Sequence, residues 1–355
     1  MSDQTATLPA LPVHGATRLP SVDVDSYNLE IRDDEGFIGD RVTKGVFRKL
    51  IEGWRKPLRK AGDDPLGDED SDELSWKQLD ALLSEGDPEA AGVIQGAIEE
   101  FSQELTQVIR RFLKLKAWRD TTCVVIGGGL RGSRIGELVI GRAAVLLKSQ
   151  EVGLDLKPIH NDPDEAGLIG GAHLVPSWML KGHDSILAVD IGGTNIRAGV
   201  VQLNLKRASD LSKANVWKFE LWRHADEKLT RDDAVERLVK MLEKLIARAE
   251  KEKLNLAPFI GIGCPGRIEE DGSIARGAQN LPGKWESSKF NLPAFLRDSL
   301  PKIGGHETTV LMHNDAVVQG LSEIPFMQEV EHWGALTIGT GLGNARFTSR
   351  GKDRD

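Results

Sequence analysis

The chain has 355 residues, 40% hydrophobic and 28% charged, which fits a globular chain of two lobes better than one small domain. Asp plus Glu number 54 against 46 Lys plus Arg, and the formal charge of −8 argues against a general nucleic-acid or membrane-surface binder. Two distant cysteines, Cys123 and Cys264, exclude a disulfide framework and a Cys-rich zinc site. The mean hydropathy is −0.29. No apolar run is long enough to span a membrane, and no basic stretch leads into an apolar one at the N-terminus. A cytoplasmic protein is expected.

Residues 1–25 are rich in Pro, Ser, Thr and Ala and predict a flexible tail. Val42, Val46, Phe47, Leu50, Ile51 and Trp54 predict a helix over Arg41–Lys60. The acid-rich run from Asp63 to Glu73, with Pro65 and Gly67, predicts a solvated loop rather than a metal site. Helical spacing then runs from Asp72 to about Lys116, with a break at Gly86-Asp87-Pro88. Thr121–Ile126 predicts a buried strand, Gly127-Gly128-Gly129 a turn, and Ser133–Lys148 a helix. A strand near Leu154–Ile159 and a helix-like segment of small residues over Gly167–Leu174 follow. Beyond Lys181, strands are predicted at Ser185–Asp190, Arg197–Leu203, Val216–Arg223, Phe259–Gly263 and Thr308–Met312. An amphipathic helix covers Thr230–Lys253, and another begins at Asp315. Trp333–Ile338 and Asn344–Phe347 flank a last Gly-rich turn.

Four glycine-rich turns punctuate this pattern: 127–132, 190–194, 261–266 and 339–343. Glycines without a Cβ let backbone N–H groups approach a phosphate. The turn at Gly127 lies between a strand and a helix with G-x-G-x-x-G spacing, so a dinucleotide-binding reading stays open. No Walker A string occurs.

The set of turns resembles the ROK sugar kinases, within the sugar kinase, heat-shock protein and actin superfamily. LAVDIGGTNIRAGVV at 187–201 is similar to that family's first phosphate loop. GIGCPGRIEEDGSI at 261–274 with QNLPGKW resembles its G-x-G-x-P-G and N-L-P-G-W segments, with Lys284 inserted. MHNDAVVQGLSE at 312–323 resembles the segment with the catalytic aspartate, and LTIGTGLGNA at 336–345 the second phosphate loop. GDPEAAGVI at 86–94, VVIGGGLRGS at 124–133 and EAGLIGGAHL at 165–174 are similar to the family's C-terminal part, yet here they come first.

The resemblance implies an α/β fold of two actin-like (ribonuclease H-like) lobes with an ATP and sugar cleft between them, in circularly permuted order. A tandem duplication that lost its outer halves would give the same motif order. The implied organisation is a tail at 1–25, a larger lobe at 26–180, a smaller lobe at 181–325, and a second phosphate hairpin at 326–355 packing with the larger lobe. The implied activity is ATP-dependent phosphorylation of a hexose or amino sugar, at the 6-position. A sugar- or nucleotide-binding regulator on the same fold is the alternative.

By resemblance, Asp315 is the general base. Asp190 orients Mg²⁺ through water, because Mg²⁺ keeps much of its hydration shell. Gly192, Gly193 and Thr194 hold ATP phosphates from one lobe, and Gly339, Thr340 and Gly341 from the other. Gly128 and Gly129 face the adenosine. Asn314, Asn280, Gly266 and Asp40 are the sugar contacts. For Asp315 the competing reading is a helix N-cap, and for Asn314 a turn residue. The family's G-E-I-G-H sugar segment is here Gly36-Phe37-Ile38-Gly39-Asp40, so a Phe and an Asp stand where the family has Glu and His. ATP and Mg²⁺ are the expected cofactors, without structural zinc. The expected partner is a small sugar, with no nucleic acid and no membrane, and a homodimer is expected.

Overall fold

The computed structural model describes residues 13–350. It is a mixed α/β structure built on two five-stranded sheets. The first sheet collects strands from both ends of the chain: β1 (Val22–Tyr27), β2 (Cys123–Gly127), β3 (Asp155–Pro158) and, far downstream, β9 (His332–Ile338) and β10 (Leu342–Ser349). The second is made from one stretch: β4 (Ser185–Ile191), β5 (Ile196–Gln202), β6 (Asn215–Trp222), β7 (Leu256–Cys264) and β8 (Thr309–Asn314).

The two sheets share one plan. In the second, the order is β6-β5-β4-β7-β8, antiparallel across the first two pairs and parallel across the last two. In the first, the order is β1-β10-β9-β2-β3, with the same sequence of antiparallel and parallel pairs. The strand that completes the first meander therefore comes from the start of the chain, with Val22 opposite Ser349.

Helices cover each sheet. On the first, α1 (Lys44–Ala61), α2 (Trp76–Glu85), α3 (Pro88–Leu113) and α4 (Arg134–Ser149) enclose a core around Phe47, Phe101, Phe112 and Leu336. On the second, α6 (Arg231–Lys251) and α7 (Leu292–Ser299) share one core, in which Leu238, Leu242, Leu245 and Leu296 pack with Val189, Val200 and Ile262. Helices α1–α4 and α6 each start on a side-chain cap: Thr43, Ser75, Asp87, Ser133 and Thr230 accept from backbone N–H groups of the first turn.

Between the sheets lie α5 (Ala166–Gly170) and α8 (Asp315–Leu321). Their core joins Val125, Ala335 and Phe347 of the first sheet to Ala188, Phe259 and Leu311 of the second. The two helices approach so closely that a Cβ on Gly170 would fall 1.7 Å from the Val318 carbonyl oxygen. The run of small residues after Gly167 thus serves helix contact.

The structure corrects the predicted tail. Residues 1–12 lie outside the described residues, but Leu19, Val22 and Val24 are buried and β1 is a full partner of β10. Composition hides this strand because its partner lies more than 300 residues downstream, and no local pattern announces such a pairing. The acidic run is a loop, as predicted, but not a wholly solvated one. Arg55, 0% exposed, donates to Asp64, Ser71 and the Gly67 carbonyl within it. Among the described residues, no helix is long and apolar enough to cross a membrane.

Candidate functional site

The carboxyl ends of neighbouring parallel strands are where α/β sheets place ligands. In the second sheet Asp190 of β4 pairs in register with Gly263 of β7, which in turn faces His313 of β8. Asp190, Cys264 and Asp315 therefore converge at one edge. In the first sheet Gly127 at the end of β2 pairs with Thr337 of β9, so the turns at 128–132 and 339–341 leave that sheet side by side.

The two sheets bring their turns together. Thr194 Oγ1 lies 2.7 Å from Thr340 Oγ1, a hydroxyl–hydroxyl contact between the first and second predicted phosphate turns. His224 braces the first turn by donating from Nε2 to the Gly192 carbonyl at 2.8 Å. The glycines of these turns divide into two kinds. Gly128 and Gly266 have positive φ, and a Cβ there would strike backbone at 2.4 Å, so local geometry explains them. Gly192, Gly339 and Gly341 have no such φ. A Cβ at Gly341 would meet nothing within 4 Å, and those at Gly192 and Gly339 would meet only one atom each, at 3.5 and 3.8 Å. Neither backbone strain nor packing requires glycine at these three positions, while the close approach of a ligand would.

Asp190 is 1% exposed. Its Oδ2 accepts from Arg197 at 3.2 Å, and Arg197 also reaches Asp164 at 2.5 Å. Its Oδ1 has no partner. Burial pushes the Asp190 pKa up, and Arg197 only partly offsets that. A buried carboxylate oxygen without a donor is costly unless something binds it. The donor set fits a hydrated divalent cation held by one carboxylate, with the Gly192 turn following directly in the chain.

Asp315 opens α8, and the cap is Asn314, not Asp315. Asn314 Oδ1 accepts from Ala316 N at 3.0 Å and Val317 N at 3.3 Å, while its Nδ2 donates to the Gly266 carbonyl at 3.0 Å. Asp315 is left with its carboxyl at the cleft, only half-buried. Burial by the surrounding wall, and then the charge of Asp190, raise its pKa to about 7. A carboxylate so tuned is a proton acceptor suited to neutral pH.

The other predicted residues fall at varied depths. Gly193 lies against Asn280, whose Cβ would be 3.3 Å from an added Gly193 Cβ. Asn280 also lines a pocket of about 500 Å³ with His224 and Thr230. Gly129 lies under the Lys44 ammonium. Asp40 is exposed on a 3-10 turn whose Gly39 packs against Leu342, just past the second phosphate turn. A larger cavity, about 1210 Å³, is lined by Arg18, His173 and Trp178, and none of the cleft residues lines it.

Sequence reasoning missed Arg197, Asp164 and Gly167. The first was readable: in a tight β4–β5 hairpin, residue 197 falls directly opposite Asp190. Gly167 is needed because a Cβ there would lie 2.5 Å from Asp190 Cγ. Only the packing of α5 across the sheet shows this.

Residues 186–349 match the sequence model of the ROK family. A glucokinase from Thermotoga maritima is 31% identical over 170 residues, which are 46% of this chain and 44% of that protein. The chain thus spans less than half the length of this curated relative. Among solved structures, a Listeria monocytogenes protein titled "a putative N-acetylmannosamine kinase" is 24% identical. The match covers 46% of this chain and 47% of that one, with a TM-score of 0.34. An exopolyphosphatase from Cytophaga hutchinsonii is 16% identical over 48% of this chain and 51% of its own, with a TM-score of 0.25.

Proposed function

We propose, from the premise that residues 186–349 are a ROK-family segment, that the chain is an ATP-dependent sugar kinase. The observation that carries the reading is the meeting of Thr194 and Thr340, on the two phosphate turns, with the strand that leads into the first of these turns bearing the buried Asp190, one of whose carboxylate oxygens has no partner. Two phosphate turns that touch across a cleft, with a carboxylate below them, suit a Mg²⁺-bound polyphosphate.

ATP with Mg²⁺ supplies the transferable phosphoryl group and neutralises its charge. The chain's part begins with Asp315. Its carboxylate takes the hydroxyl proton of the sugar as that oxygen bonds to the terminal phosphorus and the bond to the leaving diphosphate breaks. Asn314 fixes Asp315 by capping α8 and has one amide hydrogen left for a sugar hydroxyl. Asp190 would hold the hydrated cation, and Arg197 orients its carboxylate through Oδ2. Gly193 and Gly341 present backbone N–H groups to phosphate oxygens, while the Gly192 and Gly339 N–H groups close their own turns onto the Asn195 and Gly341 carbonyls, so that these two glycines serve by leaving room for the phosphates. Gly128 and Gly129 face the adenosine, and Asn280, Gly266 and Asp40 border the sugar.

The organisation we propose is two actin-like lobes in circularly permuted order, the larger at 26–180 with the hairpin of 326–355, the smaller at 181–325. The shared plan of the two sheets supports it, since β1 supplies the third strand of a meander that β9 and β10 begin. The substrate is a hexose or amino sugar phosphorylated at the 6-position. Phe37 in place of a hydrogen-bonding Glu narrows the set of hydroxyls the pocket recognises.

The test is ADP release with Mg·ATP against hexoses, N-acetylhexosamines and polyols, with Asp315→Asn as control. Sugar-dependent turnover that the variant loses supports the reading. Absence of turnover with every sugar, while sugar or nucleotide still binds, refutes catalysis and leaves a binding protein.

A further inference from the structure

We propose that Lys44 grips the phosphate chain of the nucleotide, a contact on the α1 side of the cleft that deepens, and rests on, the kinase reading above. Lys44 is the first residue of α1, and its backbone N donates to the Gly339 carbonyl at 3.0 Å. Its main chain is therefore tied to the second phosphate turn. Its side chain crosses to the other turn of the same sheet: a Cβ on Gly129 would fall 2.2 Å from Lys44 Nζ. The ammonium thus sits between the two turns of the first sheet that face the cleft.

Arg197 and Arg223 have carboxylates of their own, Asp164 and Asp190 for the first and Asp226 for the second, but Lys44 has none. Among the described residues, no carboxylate comes within ion-pair distance of Lys44. The charged groups acting on it are Arg197 and Arg223 from the second sheet's side, Arg48 one turn along α1, and Asp164. Asp164 is the one anion of the four and is engaged by Arg197. Burial, then the like charges, push the Lys44 pKa down. A partly desolvated ammonium without a counter-ion carries an electrostatic cost. It becomes favourable when a polyanion arrives, because a charge-assisted hydrogen bond to phosphate then offsets the desolvation. Lysine suits this place: its compact ammonium lies over Gly129, where the lack of a Cβ leaves it room.

The experiment compares wild type, Lys44→Met and Lys44→Ala by calorimetric titration with Mg·ADP and with adenosine at fixed ionic strength. Lys44→Met keeps the stem and removes the charge. The expected result is Mg·ADP binding weakened about 10- to 100-fold in both variants, the worth of one hydrogen bond to a charged group. Adenosine binding stays within about twofold, since adenosine carries no phosphate. Without nucleotide, Lys44→Met is expected to unfold no earlier than wild type. Equal loss for ADP and adenosine, or no loss for ADP, overturns the inference and leaves the kinase reading intact. A wild type that binds neither ligand overturns the kinase reading itself, and the inference with it. A Lys44→Met variant that melts early reveals a structural role and counts against the proposal.

Discussion

Asp315→Asn removes a charge but keeps the shape of the side chain, so stability and activity should move in opposite directions. Burial and Asp190 raise the Asp315 pKa from 3.8 to about 7. Between those values the folded chain holds a proton that the unfolded chain has released. Stability is therefore highest below the lower value, falls as pH rises between the two, and is flat above the upper one. At about 1.4 kcal/mol per pKa unit the penalty on the charged form reaches about 4 kcal/mol. Solvent reaching the half-buried carboxyl lowers this to about 2–4 kcal/mol. Asn carries no such penalty at any pH. Urea unfolding followed by tryptophan fluorescence at pH 5, 6, 7 and 8 should show the variant gaining on wild type from pH 5 to 7 and holding its lead at 8. Sugar-dependent turnover should drop about 10²- to 10⁴-fold, the range for a lost general base. In wild type, kcat/KM should fall below pH about 7, because only the ionised carboxyl accepts a proton. A stability difference that does not change with pH would refute the electrostatic argument, and turnover retained in the variant would refute the role of base.

Gly341→Ala is expected to leave the unfolding midpoint within about 0.5 kcal/mol of wild type, because the added methyl meets nothing. The same change should raise the KM for Mg·ATP; an unchanged KM would show that no ligand approaches that turn. Gly170→Ala should yield little folded protein, since its Cβ would lie 1.7 Å from the Val318 carbonyl oxygen, and a wild-type yield and melting curve would disprove the close helix contact. Asp64→Ala strands the buried Arg55 guanidinium and should destabilise by about 3–5 kcal/mol in urea, whereas a shift under 1 kcal/mol would place Arg55 in contact with water.

How much of this could be read beforehand depends on the range of the interaction that decides it. The strands β4 and β8, predicted at Ser185–Asp190 and Thr308–Met312, and the turns after Gly127 and Ile338 were legible because apolar runs and glycines are local signals. The cap of α8 was half legible: the sequence offered Asp315 as the cap and Asn314 as a turn residue, and the hydrogen bonds from Ala316 and Val317 place the cap one residue earlier, on Asn314. Nothing local marked β1, because its apolar residues sit among Pro, Ser and Asp and its partner is at the other end of the chain. Lys44 and Asp164 are ordinary surface residue types in sequence. Their place opposite Gly129 and Arg197 follows from how α1 and the 160–165 loop pack, which no periodicity encodes.

The pairing of β1 with β10 raises a physical question: what replaces the hairpin link that an adjacent third strand would have. Side-chain clamps do part of it. Asn344 of β10 takes the Leu29 N–H on Oδ1 at 2.9 Å and donates from Nδ2 to the Leu29 carbonyl at 3.0 Å. Arg346 and Thr348 both bond Asp25, and Arg350 donates to the Leu19 carbonyl at 2.9 Å. Tethering does the rest. Leaving β1, the chain runs through residues 28–43 into α1, and α1 is already held in the core of the same sheet by Phe47 and Ile51. The entropy that matters is that of closing this short segment, not one of some 300 residues, and closure entropy grows only with the logarithm of length. A strand anchored from behind in this way docks at little extra cost. The first sheet can therefore draw its strands from distant parts of the chain and still present the same edge, with Gly129 and Gly339, to the cleft.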